Sequence, residues 1–251
     1  MMLSRLSGIT LVVLVVLLNG CAGDKQQTDV STQSAQTRLQ LGMEYLAANN
    51  LDAARQNLDK AVKGAPDDYR TQLGMALYEQ RVGENDAALN RYRLALKLAP
   101  QNGTVLNNYG AFLCSLGQYV PAQQQFVAAA QAADYGLVAD SLENAGYCFY
   151  KAGNNDEARK LLSRALKYDP EKGVTLLAEA DRQFSEGKGD KTQLLLNVYQ
   201  HILPASAESL WLQIRFAALA GRQDSVQRYG KQLSRSFPQS KQYQQFLANE
   251  Y

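Results

Sequence analysis

Residues 35–67 read AQTRLQLGMEYLAANNLDAARQNLDKAVKGAPD, and the rest of the chain repeats this unit. With Ala35 as position 1, small residues stand at positions 8, 20 and 27 (Gly42, Ala54, Ala61), a bulky one at 24 (Leu58) and proline at 32 (Pro66). Small residues at these spacings let two antiparallel helices pack with their backbones close together. The register holds when carried forward. Position 1 recurs at Tyr69 and Gly103 and, after a two-residue insertion, at Ala139, Gly173 and Ala207. Position 20 reads Ala54, Ala88, Ala122, Ala158, Thr192 and Val226, and position 32 reads Pro66, Pro100, Asp134, Pro170, Pro204 and Pro238.

This period resembles that of the tetratricopeptide repeat (TPR). It implies an all-α fold: a right-handed superhelical solenoid of about six helix-turn-helix repeats over residues 35–251, starting near 35, 69, 103, 139, 173 and 207. The turn at position 15 carries Asn49 and then Gly83, Gly117, Gly153, Gly187 and Gly221, because a positive φ there costs glycine least. Repeats five and six lack small residues at positions 20 and 27, so their helices are expected to pack further apart. The insertion near residues 134–138 reads as a longer turn. Gln239 to Tyr251 is expected to form a capping helix with Gln242, Gln245 and Asn249 on a polar face.

The first 20 residues read as a signal peptide: Arg5, then an apolar run from Ile9 to Leu18 that is too short to span a bilayer comfortably. Leu18-Asn19-Gly20-Cys21 resembles a bacterial lipobox, which implies cleavage before Cys21 and lipid on its thiol. Ala22 after the cysteine, rather than Asp, implies an outer-membrane address on the periplasmic face. The alternative is an ordinary signal peptide with an incidental cysteine. Residues 21–34 are polar without a hydrophobic period and read as a flexible lipidated tether.

The formal net charge of +2, from 26 basic and 24 acidic residues, gives no electrostatic reason to expect nucleic acid as a partner. No phosphate loop, zinc-ligand spacing or cofactor motif stands out. Gly187-Lys188-Gly189 lacks the strand-loop-helix setting of a nucleotide site. His201, the one histidine, closes a helix before Pro204 and reads as structural. Repeats fill the chain after the tether, which argues against an enzyme.

Positions 2, 5, 9, 12 and 13 of the first helices line the concave surface of such an array. Leu39, Met43, Leu46, Leu73 and Leu77 fall there and predict an apolar strip, bordered by Arg70 and Arg81, for a partner peptide or helix. The alternative occupant is the tether or a neighbouring helix. Repeat four contributes a polar-aromatic section with Tyr147 and Tyr150. Trp211, at position 5 of repeat six, reads as core or groove lining. Cys114 and Cys148 fall on equivalent helices of adjacent repeats. In an oxidising compartment a disulfide is expected, the alternative being two buried thiols that act as small apolar residues.

The stretch NNYGAFLC at residues 107–114, with Gly117-Gln118-Tyr119 and the SLENAGYC stretch at 141–148, resembles the type IV pilus biogenesis lipoproteins of the PilW/PilF pilotin group. The resemblance implies an outer-membrane lipoprotein that binds the pilus secretin, PilQ, and helps it reach the outer membrane and form its ring. The competing reading is another periplasmic TPR lipoprotein that scaffolds outer-membrane protein assembly or peptidoglycan enzymes.

Overall fold

The computed structural model describes residues 23–132 and 135–251, and among them all regular structure is helical. Repeat one pairs α1 (Gly23–Ala47) with α2 (Leu51–Gly64), and repeat two pairs α3 (Tyr69–Arg81) with α4 (Asn85–Leu98). Repeat three holds α5 (Gly103–Ser115) and α6 (Tyr119–Ala132), and repeat four α7 (Tyr135–Lys151) and α8 (Asn155–Tyr168). Repeat five holds α9 (Lys172–Ser185) and α10 (Gly189–Ile202), and repeat six α11 (Ala207–Leu219) and α12 (Gln223–Ser236). Helix α13 (Lys241–Leu247) follows. The chain divides into two compact units between Ala99 and Pro100: repeats one and two in the first, the remainder in the second.

Local chemistry sets these boundaries. All six residues at position 15 have positive φ, from 58° at Asn49 to 81° at Gly83. Each helix that precedes a position-32 proline stops two residues before it. The intervening residue, from Ala65 (φ −146°) to Leu203 (φ −113°), leaves the helix because a proline ring disfavours helical backbone in the residue before it. Side-chain caps open several helices: Asn102 accepts from the Val105 amide at 3.0 Å, and Ser206 and Ser209 form a reciprocal capping box.

Within a repeat, position 8 packs on position 24. A β-carbon added to Gly42 would lie 2.6 Å from Leu58 Cγ, and one added to Gly146 2.7 Å from Leu162 Cγ. The alanines at position 20 of the first four repeats are buried, as are those at position 27. These contacts build the core of the first unit around Leu58, Met75 and Tyr78. In the second unit one core gathers around Leu162, Leu176 and Leu195, and another around Leu210, Ile214 and Leu233.

Three details depart from the sequence-based expectations and one agrees with them. Residues 23–34, expected as a flexible tether, continue α1. Once repeat one fixes the helix at 35–47, a stretch without proline or interior glycine extends it at little cost per residue. Where a longer turn was expected near residues 134–138, α7 already begins at Tyr135 and runs for 17 residues, against 13 in α3, α5 and α11; residues 133–134 lie outside those described. The paired helices of repeats five and six do touch less extensively than the others, but substitutions elsewhere compensate. Tyr199 at position 27 lies against Gly173 at position 1, and repeat six has Ile214 at position 8 with Gly230 at 24. The cap is shorter than expected, since α13 has seven residues and Asn249 turns the chain at φ 57°. The signal peptide and Cys21 lie outside the described residues.

Candidate functional site

The first unit carries a groove of about 530 Å³ between the C-terminal halves of α1 and α3, lined by Met43, Leu46, Ala47, Leu77, Gln80 and Arg81. Met43, Leu46 and Leu77 are half-buried and Ala47 is exposed, so apolar surface faces the groove. Arg81 Nη2 donates to Asn49 Oδ1 at 3.2 Å. Asn49, which reverses the chain at position 15, thus also holds a cation at the rim.

Four of the seven residues expected in the strip meet here: Met43, Leu46, Leu77 and Arg81. Leu39 and Leu73 do not. Leu39 packs into the space above Gly74, where a β-carbon would lie 2.5 Å from Leu39 Cδ1, and Leu73 is buried. Arg70 turns to its own helix start. Its Nη2 lies 2.6 Å from Asp68 Oδ2, while Asp68 also caps α3 by accepting from the Arg70 amide. The hydrogen bonds from Arg70 hold the Asp68 carboxyl below its usual range.

Behind the groove lies a buried polar chain. Gln72 donates to the Pro66 carbonyl at 2.6 Å and accepts from Arg91 Nη1 at 2.8 Å. Arg91 Nε reaches Glu79 Oε1 at 3.4 Å, and Glu79 Oε2 is buried without a partner. Burial pushes the Glu79 carboxyl up, and Arg91 draws it only partly back.

The polar-aromatic section of repeat four is covered. Lys172 Nζ bridges Asp140 at 2.6 Å and Glu143 at 2.8 Å, and Thr175 donates to Glu143 at 2.7 Å. Tyr150 is buried beneath Lys191, whose ammonium lies 4.8 Å from the ring centre. The hydroxyls of Tyr147 and Tyr150 are buried without partners, and burial raises both phenols. Next to this section Cys114 and Cys148 are joined by a disulfide, with Cα atoms 5.8 Å apart.

A second groove, of about 620 Å³, lies in repeats five and six. Val174, Leu177, Ala178 and Trp211 form its apolar lining, and Arg215 pairs with Asp181 at 2.6 Å beside it. Sequence reading named Trp211 but missed the groove. Its signal was present, because Val174, Leu177 and Trp211 occupy positions 2 and 5 of their repeats.

Among the described residues no group of three or more His, Cys, Asp or Glu is placed to hold a metal ion, and no helix is long and apolar enough to cross a membrane. What this architecture offers is apolar grooves with polar rims, which suit peptide recognition.

Comparison with known proteins agrees with that repertoire. The tetratricopeptide repeat family matches residues 39–102 and 139–172. The type IV pilus assembly protein PilF of Pseudomonas aeruginosa is 28% identical over 243 residues, covering 95% of this chain and 96% of PilF. An uncharacterized protein of Haemophilus influenzae is 31% identical over 161 residues, 64% of this chain and 90% of its own length. The structure of P. aeruginosa PilF superposes with a TM-score of 0.61 at 28% identity, over 89% of this chain and 99% of that one. The crystal structure of PilW, a widely conserved type IV pilus biogenesis factor, gives a TM-score of 0.59 at 26% identity, over 88% of this chain and 99% of that one.

Proposed function

The chain belongs to the tetratricopeptide-repeat family of type IV pilus biogenesis factors that includes PilF and PilW, and we propose that it acts there as a pilotin. In this reading it is a non-catalytic scaffold, held on the periplasmic face of the outer membrane by lipid on Cys21. It binds the secretin PilQ and promotes the secretin's localisation and ring assembly. The observation that carries the reading is the groove of Met43, Leu46, Ala47 and Leu77 with Arg81 at its rim. Such a groove accepts apolar side chains of an extended or helical segment, and methionine adapts its shape to them. Arg81 offers a charge-assisted hydrogen bond to a carboxylate on the same segment. The lipobox at residues 18–21 supports the membrane address, and several acyl chains together anchor stably where one is marginal.

The reading is tested in cells that lack the protein. Surface pili and secretin multimers are expected to disappear and to return with the wild-type chain but not with Leu77→Glu. Normal multimers in the deletion strain would overturn it.

A further inference from the structure

From Leu98 to Ala133, 36 consecutive residues include no Asp, Glu, Lys, Arg or His, in a chain with 20% charged residues. Repeat three therefore carries no charged residue on either of its helices. Its outer helix α6 differs in this from the other outer helices, α2, α4, α8, α10 and α12, each of which carries charges of both signs. Loss of charge from exposed surface marks the centre of a protein interface, not a solvated face.

The same helix forms one wall of a groove of about 780 Å³. Helix α8 forms the other wall and α7 the floor. Val120 and Val127 on α6 are 68% and 58% exposed, and Tyr168 on α8 is 40% exposed. Ser141 in the floor is buried, and its hydroxyl has no partner among the described residues.

The walls suggest the shape of the occupant. On α6 the lining residues Val120, Gln124, Val127 and Gln131 are spaced 4, 3 and 4 apart. Leu161, Arg164 and Tyr168 keep the same rhythm on α8. The α6 ridge runs for about three turns, roughly 16 Å, and the α8 ridge for about two. The charges on the rim indicate its chemistry. Glu157 is engaged by Lys160 at 3.5 Å, while Arg164 is exposed without an ion-pair partner among the described residues.

We propose that the α6–α8 groove binds an amphipathic helix of a partner protein. The helix has about three turns, an otherwise uncharged apolar stripe and an acidic residue that reaches Arg164. This surface lies on the outer helices and does not depend on the groove of repeats one and two.

A helix-stapled peptide of about 12 residues, with leucines spaced 4, 3 and 4 apart and one flanking glutamate, serves as the probe. Fluorescence anisotropy with the purified protein is expected to show saturable binding. Val127→Glu alters an exposed side chain and should weaken that binding at least about tenfold. Arg164→Glu should weaken it as well, and exchange of the peptide's glutamate for lysine should restore it. Absence of saturable binding, or equal binding by Val127→Glu, would overturn the proposal. So would self-association in sedimentation that Val127→Glu abolishes, since a second copy would then cover the groove.

Discussion

Ile214 and Gly230 exchange the sizes that positions 8 and 24 have in the first repeats: the bulky residue is on α11 and the glycine is on α12. The space over Gly230 is filled by the ring of Phe246 from α13, which would collide with a β-carbon there. Phe246 also stacks on Tyr251 at 5.8 Å and packs with Tyr243 on the repeat-six core. The cap is thus keyed to the inverted pair. Phe246→Ala is expected to destabilise repeat six by about 1–2 kcal/mol, less than for a fully buried ring because this one is half-exposed. Hydrogen exchange should quicken in α11 and α12 while the first unit keeps its protection.

Cys114 and Cys148 close a loop of sequence separation 34 between α5 and α7. Cross-linking a loop of that length stabilises by on the order of 3–4 kcal/mol in the chain-entropy account. Denatured, non-reduced protein should titrate no free thiol from this pair. Cys114→Ser should lower the urea midpoint, with a reductant lowering the wild type but not the variant.

Glu79 gives the stability a defined pH dependence. Its folded carboxyl binds a proton more tightly than the unfolded one, because burial disfavours the anion more than Arg91 favours it. The folded state therefore holds a proton that the unfolded state releases, and stability falls as pH rises from the ordinary glutamate value of 4.5. Glu79→Gln keeps a neutral side chain throughout. It is expected to melt at a higher temperature than wild type at pH 7, with the difference closing below pH 4.5. A lower melting temperature for the variant at pH 7 would contradict this.

Cys21 is the proposed anchor. Cys21→Ser should abolish acylation and move the protein out of the outer-membrane fraction. Labelling with an alkynyl fatty acid, followed by fractionation, checks both. An unlabelled variant that stays in the outer membrane would show that the protein is held there by other means.

The repeat fold was legible because its rules are local. A proline at position 32, a glycine at 15 and an alanine at 20 each fix a backbone event within a few residues of themselves. The groove was legible only in part because its membership depends on contacts between repeats. Leu39 and Met43 look equivalent in the sequence, but Gly74 leaves a space that Leu39 fills, and only Met43 lines the groove. Arg70 likewise looked free until Asp68 claimed it. Tyr150 sits at an inner-face position but is buried in a core shared with residues of α8, α9 and α10, with Lys191 of α10 over its ring, and that membership depends on side chains of three other helices. The charge-free helices of the third repeat stand in the sequence as an absence, which no motif of residue types expresses.

The groove of repeats one and two is proposed to hold a segment of the secretin. Ala47 lines this groove, is exposed and ends α1, so Ala47→Glu places a charge in it at little cost to the fold. Desolvating that charge on binding would be expensive. The deciding measurement is a calorimetric titration of purified secretin into wild-type and Ala47→Glu protein, each checked for helix content by circular dichroism. An Ala47→Glu protein of wild-type helicity is expected, with an affinity at least about tenfold lower. Equal affinity for the two proteins would contradict it and place the secretin elsewhere on the molecule.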